Sequence, residues 1–251
     1  MKSPVFSIIT VTFNAVQVLE KTLLSVINQT YDHIEYILID GASIDGTVQI
    51  IRKHESGIKY WISKPDKGIY DAMNKGLQVA TGDYVWFLNA GDVLQSHHIV
   101  QELATIAEQN ELPDILYGET DLINSEGVVF AKRRLKAPKK LSWKSFRKGM
   151  LVCHQAFIVK SLIAVDYDLQ YRFSADFDWC VRCMRIADTI VNSRLRIVYY
   201  LNEGTTTANR KKSLKERYVI MCRYYGTLPT QIRHLWFALR FYWAKFFRKN
   251  Y

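Results

Sequence analysis

The stretch FSIITVTFNAVQVLEKTLLSVINQTYDHIEYILID, residues 6–40, decides the reading of the fold. Its opening, FSIITVTF, is an apolar, β-branched run of the kind buried on both faces of a sheet. Val16, Leu19, Leu23, Val26 and Ile27 then recur at helical spacing across residues 16–28. A second buried strand covers residues 36–39 and ends at Asp40.

Outward from this unit the alternation continues. Residues 41–46 are a turn cluster, 47–54 a helix, 58–62 a strand and 69–80 a helix broken at Gly82. A strand over 84–88, a helix over 100–110 and a strand over 114–118 follow. Strands alternating with helices predict an α/β fold with a doubly wound, mostly parallel sheet flanked by helices. Such sheets bind ligands outside the carboxyl ends of their strands, and the polar residues Asn14, Asp40 and Asp92 fall at those ends.

The second half is less regular. Residues 121–132 read as a hairpin turning near 125–127, and 132–148 as a basic segment carrying Trp143 and Phe146. Residues 155–159 and 195–201 read as strands, and 175–186 and 213–225 as helices. Residues 232–249 read as an aromatic, basic helix with Trp236, Phe241, Tyr242, Trp243, Phe246 and Phe247 among Arg233, Arg240, Lys245, Arg248 and Lys249. That pattern suits a helix lying in a membrane interface; packing on the domain or a dimer contact is the alternative.

The 251 residues are 49% apolar, enough for a substantial core. The net charge of +10 is unevenly spread. Residues 1–131 hold 8 Lys+Arg against 17 Asp+Glu, a balance of −9; residues 132–251 hold 26 against 7, a balance of +19. The acidic half suits a cation-assisted site and the basic half an anionic partner. No apolar run is long enough to span a membrane, and the start lacks the pattern of a signal peptide. The expectation is a cytoplasmic protein, peripheral on the inner face of the plasma membrane. Cys153, Cys180, Cys183 and Cys222 do not form a disulfide framework and read as small core residues. A zinc site recruiting Cys153 and His154 is the alternative.

Several chemistries are excluded by missing motifs. No G-x-G-x-x-G follows the first strand, and neither a P-loop nor a G-x-S-x-G is present. What remains is carboxylates at strand ends. Asp92 follows the turn Asn89, Ala90, Gly91, where a hard cation would want a carboxylate and phosphate oxygens. Capping of the following helix is the other reading of Asp92.

Four segments carry a resemblance. FSIITVTFNA, LLSVINQTYDHIEYILIDGASIDGT, KPDKGIYDAMNKGLQVATGDYVWFLNAGD and the shorter FSADFDW resemble the family 2 inverting glycosyltransferases, which have the GT-A fold. The likeness runs from about Pro4 to about Ala208. It implies a hexosyltransferase acting in bacterial surface polysaccharide synthesis. The donor would be a nucleoside-diphosphate sugar, a UDP-sugar first among them. The acceptor would be a glycan or a polyprenyl-diphosphate-linked lipid, and the cofactor Mn²⁺ or Mg²⁺. Residues 1–225 would form the catalytic domain, with 1–95 the nucleotide-sugar half, 96–225 the acceptor half and 226–251 the tail.

Roles implied by the resemblance fall on individual positions. Phe13 would stack on the base, and Asp40 would read base or ribose. Asn14, Asp66, Lys67, Asn74 and Asn89 would contact the nucleotide sugar. Asp92 would hold the metal, and Asp176 would be the catalytic base, with Asp178 close enough in sequence to be confused with it. A plain helix N-terminal acid is the other reading of Asp176. His154 and Gln155 would line the acceptor or diphosphate side, with a satisfied structural histidine the other reading of His154, and Glu203, Gly204, Thr205 and Thr206 would form a loop over the phosphates. Asp92 is the only carboxylate of its motif, the turn Asp40, Gly41, Ala42, Ser43 stands where many relatives carry two acids, and Ala175 stands where many carry Glu.

Two other classes of function compete. The +19 half with its aromatics fits a nucleic-acid-binding module, although no recognition motif is present and no nucleic acid is expected. The reduced metal motif also fits a non-catalytic GT-A scaffold.

Overall fold

A computed structural model describes residues 3–201 and 209–248. The strands are β1 (Phe6–Thr12), β2 (Ile34–Asp40), β3 (Tyr60–Ser63), β4 (Tyr84–Phe87), β5 (Val93–Leu94), β6 (Ile115–Ile123), β7 (Val129–Lys132), β8 (Phe157–Lys160) and β9 (Ile190–Leu201). The helices are α1 (Leu19–Ile27), α2 (Thr47–Lys53), α3 (Ile69–Val79), α4 (Ile99–Gln109), α5 (Ala175–Ile186), α6 (Arg210–Tyr225) and α7 (Thr227–Arg248).

Along the sheet the order is β3-β2-β1-β4-β8-β6-β9-β5, with β7 paired to β6. The first four strands run parallel. β8 enters antiparallel between β4 and β6, and β9 runs parallel to β6. Side chains alternate between two cores. Ile9, Val11, Ile37 and Ile39 face α3, α5 and α6, while Phe6, Ile8, Leu38 and Trp86 face α1, α2 and α4. Both faces are covered, which is why β1 and β2 read as continuous apolar runs. Each fully buried Leu, Ile or Phe of this kind contributes roughly 1.5–3 kcal/mol.

Two features position the site. α3 lies directly on β1 at Gly76, where an added methyl would meet Ile9 at 2.5 Å. Only glycine permits that approach, which fixes the helix carrying Tyr70 and Asn74. The second feature is a curl. Residues 88–92 join β4 to β5, yet β5 pairs with β9, three strands further along the sheet. So short a link requires the far end of the sheet to fold back over the β4 exit.

The structure departs from the sequence reading in several places, and β9 begins at Ile190, ahead of residue 195. β6 runs unbroken through Glu119, Thr120 and Asp121 instead of stopping at 118, because β9 pairs along it and Arg196 meets Asp121 at 3.1 Å. β5 was not legible, being two residues paired across the curl. The last helix begins at Thr227, ahead of residue 232; Lys249 and the loop Glu203, Gly204, Thr205 and Thr206 lie outside the described residues. Cys180 and Cys183 are fully buried in the core, as small core residues would be.

Candidate active site

The exits of β1, β2 and β3 are in register, with Thr12 beside Asp40 and Asp40 beside Ser63. Just past them, Phe13 and Asp66 meet over Gly41. A methyl on Gly41 would lie 2.5 Å from Asp66 Oδ2 and 3.2 Å from the Phe13 ring. Phe13 is 63% exposed, so its ring is free to stack on a planar ligand. Asp66 Oδ1 accepts the Gly68 N–H at 2.8 Å, and the Lys67 N–H donates to Asp71 at 3.0 Å. These bonds fix the turn into α3 and leave the Lys67 side chain exposed.

Asn14 and Asp40 build the rim beneath that pair. Asn14, at φ +47°, accepts the Ile44 N–H at 3.0 Å, and its own N–H donates to Ser43 Oγ at 2.7 Å. Asp40 is fully buried. Its carboxylate accepts the Ser43 N–H at 2.9 Å, the Ser63 hydroxyl at 2.6 Å and the Ser43 hydroxyl at 2.5 Å. In this geometry Asp40 shapes the turn that carries Gly41 and has little accepting capacity left for a base.

Asn89 and Asp92 sit where the curl brings β9 onto the β4 exit. Asp92 is 3% exposed, and its Oδ1 accepts the Leu201 N–H at 2.9 Å. Burial pushes its carboxyl up to about 7, opposed by the Leu201 N–H and the Gln155 side chain. Among the described residues Asn89 Oδ1 is buried with no hydrogen-bond partner. The motif therefore offers one carboxylate and one orphaned amide oxygen, both hard donors. Such a pair suits Mg²⁺ or Mn²⁺ completed by diphosphate oxygens and water, since these ions are usually held by one or two carboxylates. Among the described residues no group of three or more His, Cys, Asp or Glu could hold a metal alone.

Gln155 and His154 line the floor. The Gln155 carbonyl accepts the Trp86 indole N–H at 2.7 Å, and its Oε1 accepts the Cys153 thiol at 3.0 Å. His154 is buried against Phe87, with Nε2 2.6 Å from the Tyr167 hydroxyl. Burial pulls its imidazole down to about 4, so it is neutral at neutral pH. Asp176 opens α5 and is only partly buried. Its Oδ1 accepts the Tyr70 hydroxyl at 3.2 Å and the Phe177 N–H at 2.9 Å. Burial, and then the Asp176 charge, raise the Tyr70 phenol well above its usual value.

Asp178 is a different residue altogether. It is fully buried, bound to Arg182 at 2.6 Å and accepting the Tyr224 hydroxyl at 2.7 Å. The Asn74 side chain is likewise engaged within the protein. Its Nδ2 donates to the Tyr167 carbonyl at 3.0 Å, and its Oδ1 accepts the Tyr167 N–H at 2.7 Å. The amide is engaged at both ends with backbone, so Asn74 ties α3 to the segment under His154.

Three residues of the site had no motif to announce them. Tyr167 stacks on Trp179 at 5.1 Å and on Tyr70 at 5.5 Å, and joins Asn74 to His154. Glu216 of α6 accepts the N–H groups of Arg172, Phe173 and Ser174 at 3.0, 2.7 and 3.0 Å. That grip fixes the entry to α5 and so Asp176. Arg217 lies over the Phe177 ring at 5.6 Å, and among the described residues its buried Nε has no partner. Glu216 did leave a trace in the sequence, as the only acid of α6.

A mostly parallel, curled α/β sheet with this cluster at its strand exits is a GT-A fold. The glycosyl transferase family 2 model matches residues 7–164. The uncharacterized glycosyltransferase Rv1514c of Mycobacterium tuberculosis is 33% identical over 195 residues, covering 75% of this chain and 72% of the relative. The PGL/p-HBAD biosynthesis glycosyltransferase Rv2957 of the same organism is 34% identical over 192 residues, covering 73% and 71%. Among solved structures, S. aureus TarS 1-349 in complex with UDP superposes with a TM-score of 0.68 at 16% identity, over 87% of this chain and 65% of that one. The chain belongs to glycosyl transferase family 2.

Proposed function

We propose that this chain moves a sugar from a nucleoside-diphosphate donor, a UDP-sugar, onto a hydroxyl of a glycan or polyprenyl-diphosphate-linked acceptor, with inversion, in surface polysaccharide synthesis. The observation that carries the reading is the meeting of the donor segments with the expected base. The Ala90 N–H, between Asn89 and Asp92, donates to the Val11 carbonyl at 3.3 Å, so this motif lies beside the β1 exit that carries Phe13. Tyr70, on the helix that follows Asp66 and Lys67, donates its hydroxyl to Asp176 at 3.2 Å. TarS has been solved with UDP and with UDP-GlcNAc, which supports a uridine donor. The Rv2957 relative is named a PGL/p-HBAD biosynthesis glycosyltransferase, which supports glycosyl transfer in a biosynthetic pathway.

The chain's own groups divide the work. Phe13 stacks on the base, and Asp66 reads the nucleotide beside it. Asp92 with Asn89 would hold Mn²⁺ or Mg²⁺, which when bound neutralises charge on the departing diphosphate. Asp176 takes the proton of the acceptor hydroxyl as that oxygen attacks the anomeric carbon. Its orientation is held by Tyr70 and the Phe177 N–H. A positioned base of this kind contributes roughly 10²–10⁴-fold in rate. Neutral His154 and Gln155 line the space between.

We read residues 1–225 as the catalytic unit and 226–251 as a tail resting on a membrane. Leu228, Ile232, Leu235, Trp236 and Leu239 of α7 are all more than half exposed, which supports that contact. No described helix is long and apolar enough to cross a membrane. A screen of nucleotide sugars for hydrolysis with and without Mn²⁺ tests the proposal. Full turnover in both Asp92→Ala and Asp176→Ala would sink the site assignment. Failure to bind any nucleoside diphosphate would instead favour a scaffold.

A further inference from the structure

A cavity of about 130 Å³ lies where the turn Trp143–Lys148 meets the junction of α6 and α7. It is lined by Arg147, Met221, Tyr225, Pro229, Thr230 and Arg233. The Arg147 guanidinium carbon sits 5.4 Å from the Tyr225 ring centre and 5.9 Å from that of Trp143. Those two rings stack at 5.7 Å, and the Tyr225 hydroxyl donates to the Trp143 carbonyl at 2.6 Å. Arg147 is therefore held by aromatic faces and not by an acid.

Arg233 reaches the same cavity from α7. Among the described residues neither arginine forms an ion pair. The turn and α7 contain no Asp or Glu. α6 contains one, Glu216, whose carboxylate is spent on the amides of Arg172, Phe173 and Ser174. Both guanidiniums also bear on the Tyr225 hydroxyl, opposing the upward push of burial. Two forked cations meeting without an acid call for an anion that takes paired hydrogen bonds, and phosphate is the best match.

The surroundings say which phosphate. Pro229 and Arg233 line the cavity, while Leu228, Ile232, Leu235 and Trp236 stand exposed on the same helix. A phosphate seated here would have apolar chain beside it, as in a phospholipid at a bilayer surface.

We propose that Arg147 and Arg233, at the edge of Tyr225, bind the phosphate of an anionic phospholipid headgroup and pin the base of α7 to the bilayer. The inference rests on the membrane reading of α7. It is tested with the full chain on phosphatidylcholine vesicles with and without phosphatidylglycerol. Arg147→Gln with Arg233→Gln is compared with Lys139→Gln with Lys140→Gln, an equal loss of charge from exposed positions of the same basic region. The arginine pair is expected to lose binding to the anionic vesicles by roughly tenfold or more beyond the lysine pair. Arg147→Lys with Arg233→Lys, which keeps the charge and removes the fork, is expected to fall between.

Equal losses in the two glutamine pairs overturn the site and leave only diffuse attraction. Inorganic phosphate that protects the cavity while the arginine pair still binds vesicles normally makes it a site for soluble anions, and also overturns the proposal. A tail variant, Ile232→Ser with Trp236→Ser, separates the two layers. If it abolishes binding and the arginine pair does not weaken it, the membrane reading stands and the pocket falls. If the unmodified chain binds neither vesicle, both fall.

Discussion

Asn74 and Tyr167 hold each other by a reciprocal pair of hydrogen bonds, side-chain amide against backbone, at 3.0 and 2.7 Å. Tyr167 in turn meets His154 at 2.6 Å. Removing the amide strands two backbone groups, which costs roughly 1–3 kcal/mol where they are buried. Asn74→Ala should lower Tm and kcat while nucleotide affinity stays nearly unchanged. Nucleotide affinity that collapses at constant Tm, read by titration calorimetry, would make Asn74 a ligand of the nucleotide after all.

Glu216 acts on Asp176 from a distance, through the amides of residues 172–174. Glu216→Ala should cut kcat by roughly 10-fold or more, a loss of about 1.4 kcal/mol or more in the transition state. Glu216→Gln keeps one acceptor oxygen and should recover part of the loss. Equal kcat in wild type and Glu216→Ala refutes the positioning role.

Asp176 and Asp178 should separate cleanly. Asp176→Asn is expected to fold normally and lose roughly 10²–10⁴ in turnover. Asp178→Ala leaves Arg182 without its partner and the Tyr224 hydroxyl without its acceptor, so its first effect should be a lowered Tm. A turnover defect confined to Asp178 variants of normal stability would reverse the assignment.

The two buried titrating groups act on stability with opposite signs. Asp92 is held near 7 against 3.8 for a free carboxyl, so the folded chain keeps a proton that the unfolded chain releases. Its contribution is full below about pH 4 and is lost as pH rises through about 7, on the order of 4 kcal/mol. His154 is held near 4 against 6.5, so its contribution is present above pH 6.5 and is lost as pH falls toward 4. In chelator, Asp92→Asn should raise Tm more at pH 8 than at pH 5, while His154→Gln should flatten the acid side. A Tm gain for Asp92→Asn that does not depend on pH would show that burial is not what shifts this carboxyl.

Gly41→Ala places a methyl against Asp66 and the Phe13 ring. Nucleotide affinity should drop and Tm should hardly move. Unchanged affinity, measured with UDP, would remove Phe13 and Asp66 from the donor site.

The first βαβ unit was legible because β1 and β2 are covered on both faces and α1 on one, so apolar spacing alone marks them. Position along the chain also singled out Asp92 and a cation role for it, whereas Asp176 and its role came from resemblance. What spacing could not convey was direction. Asp40 and Asn74 are polar residues in the expected places, yet their side chains turn to Ser43, Ser63 and the Tyr167 backbone. Among the described residues Glu216 binds main-chain amides alone, which no side-chain pattern encodes. The curl that brings Leu201 onto Asp92 depends on a two-residue strand, too short to have a period.

The grip of Glu216 on the approach to α5 also sets where the chain can be shortened. A cut after Gly226 removes all of α7 and spares the carboxylate and the hydroxyl pair of Ser174 and Ser213. A cut about four turns further back, ahead of Ser213, takes away both, along with the Tyr224 hydroxyl that Asp178 accepts. The tail is thus divisible at one point, and trimming beyond it erodes the catalytic end of the molecule from behind.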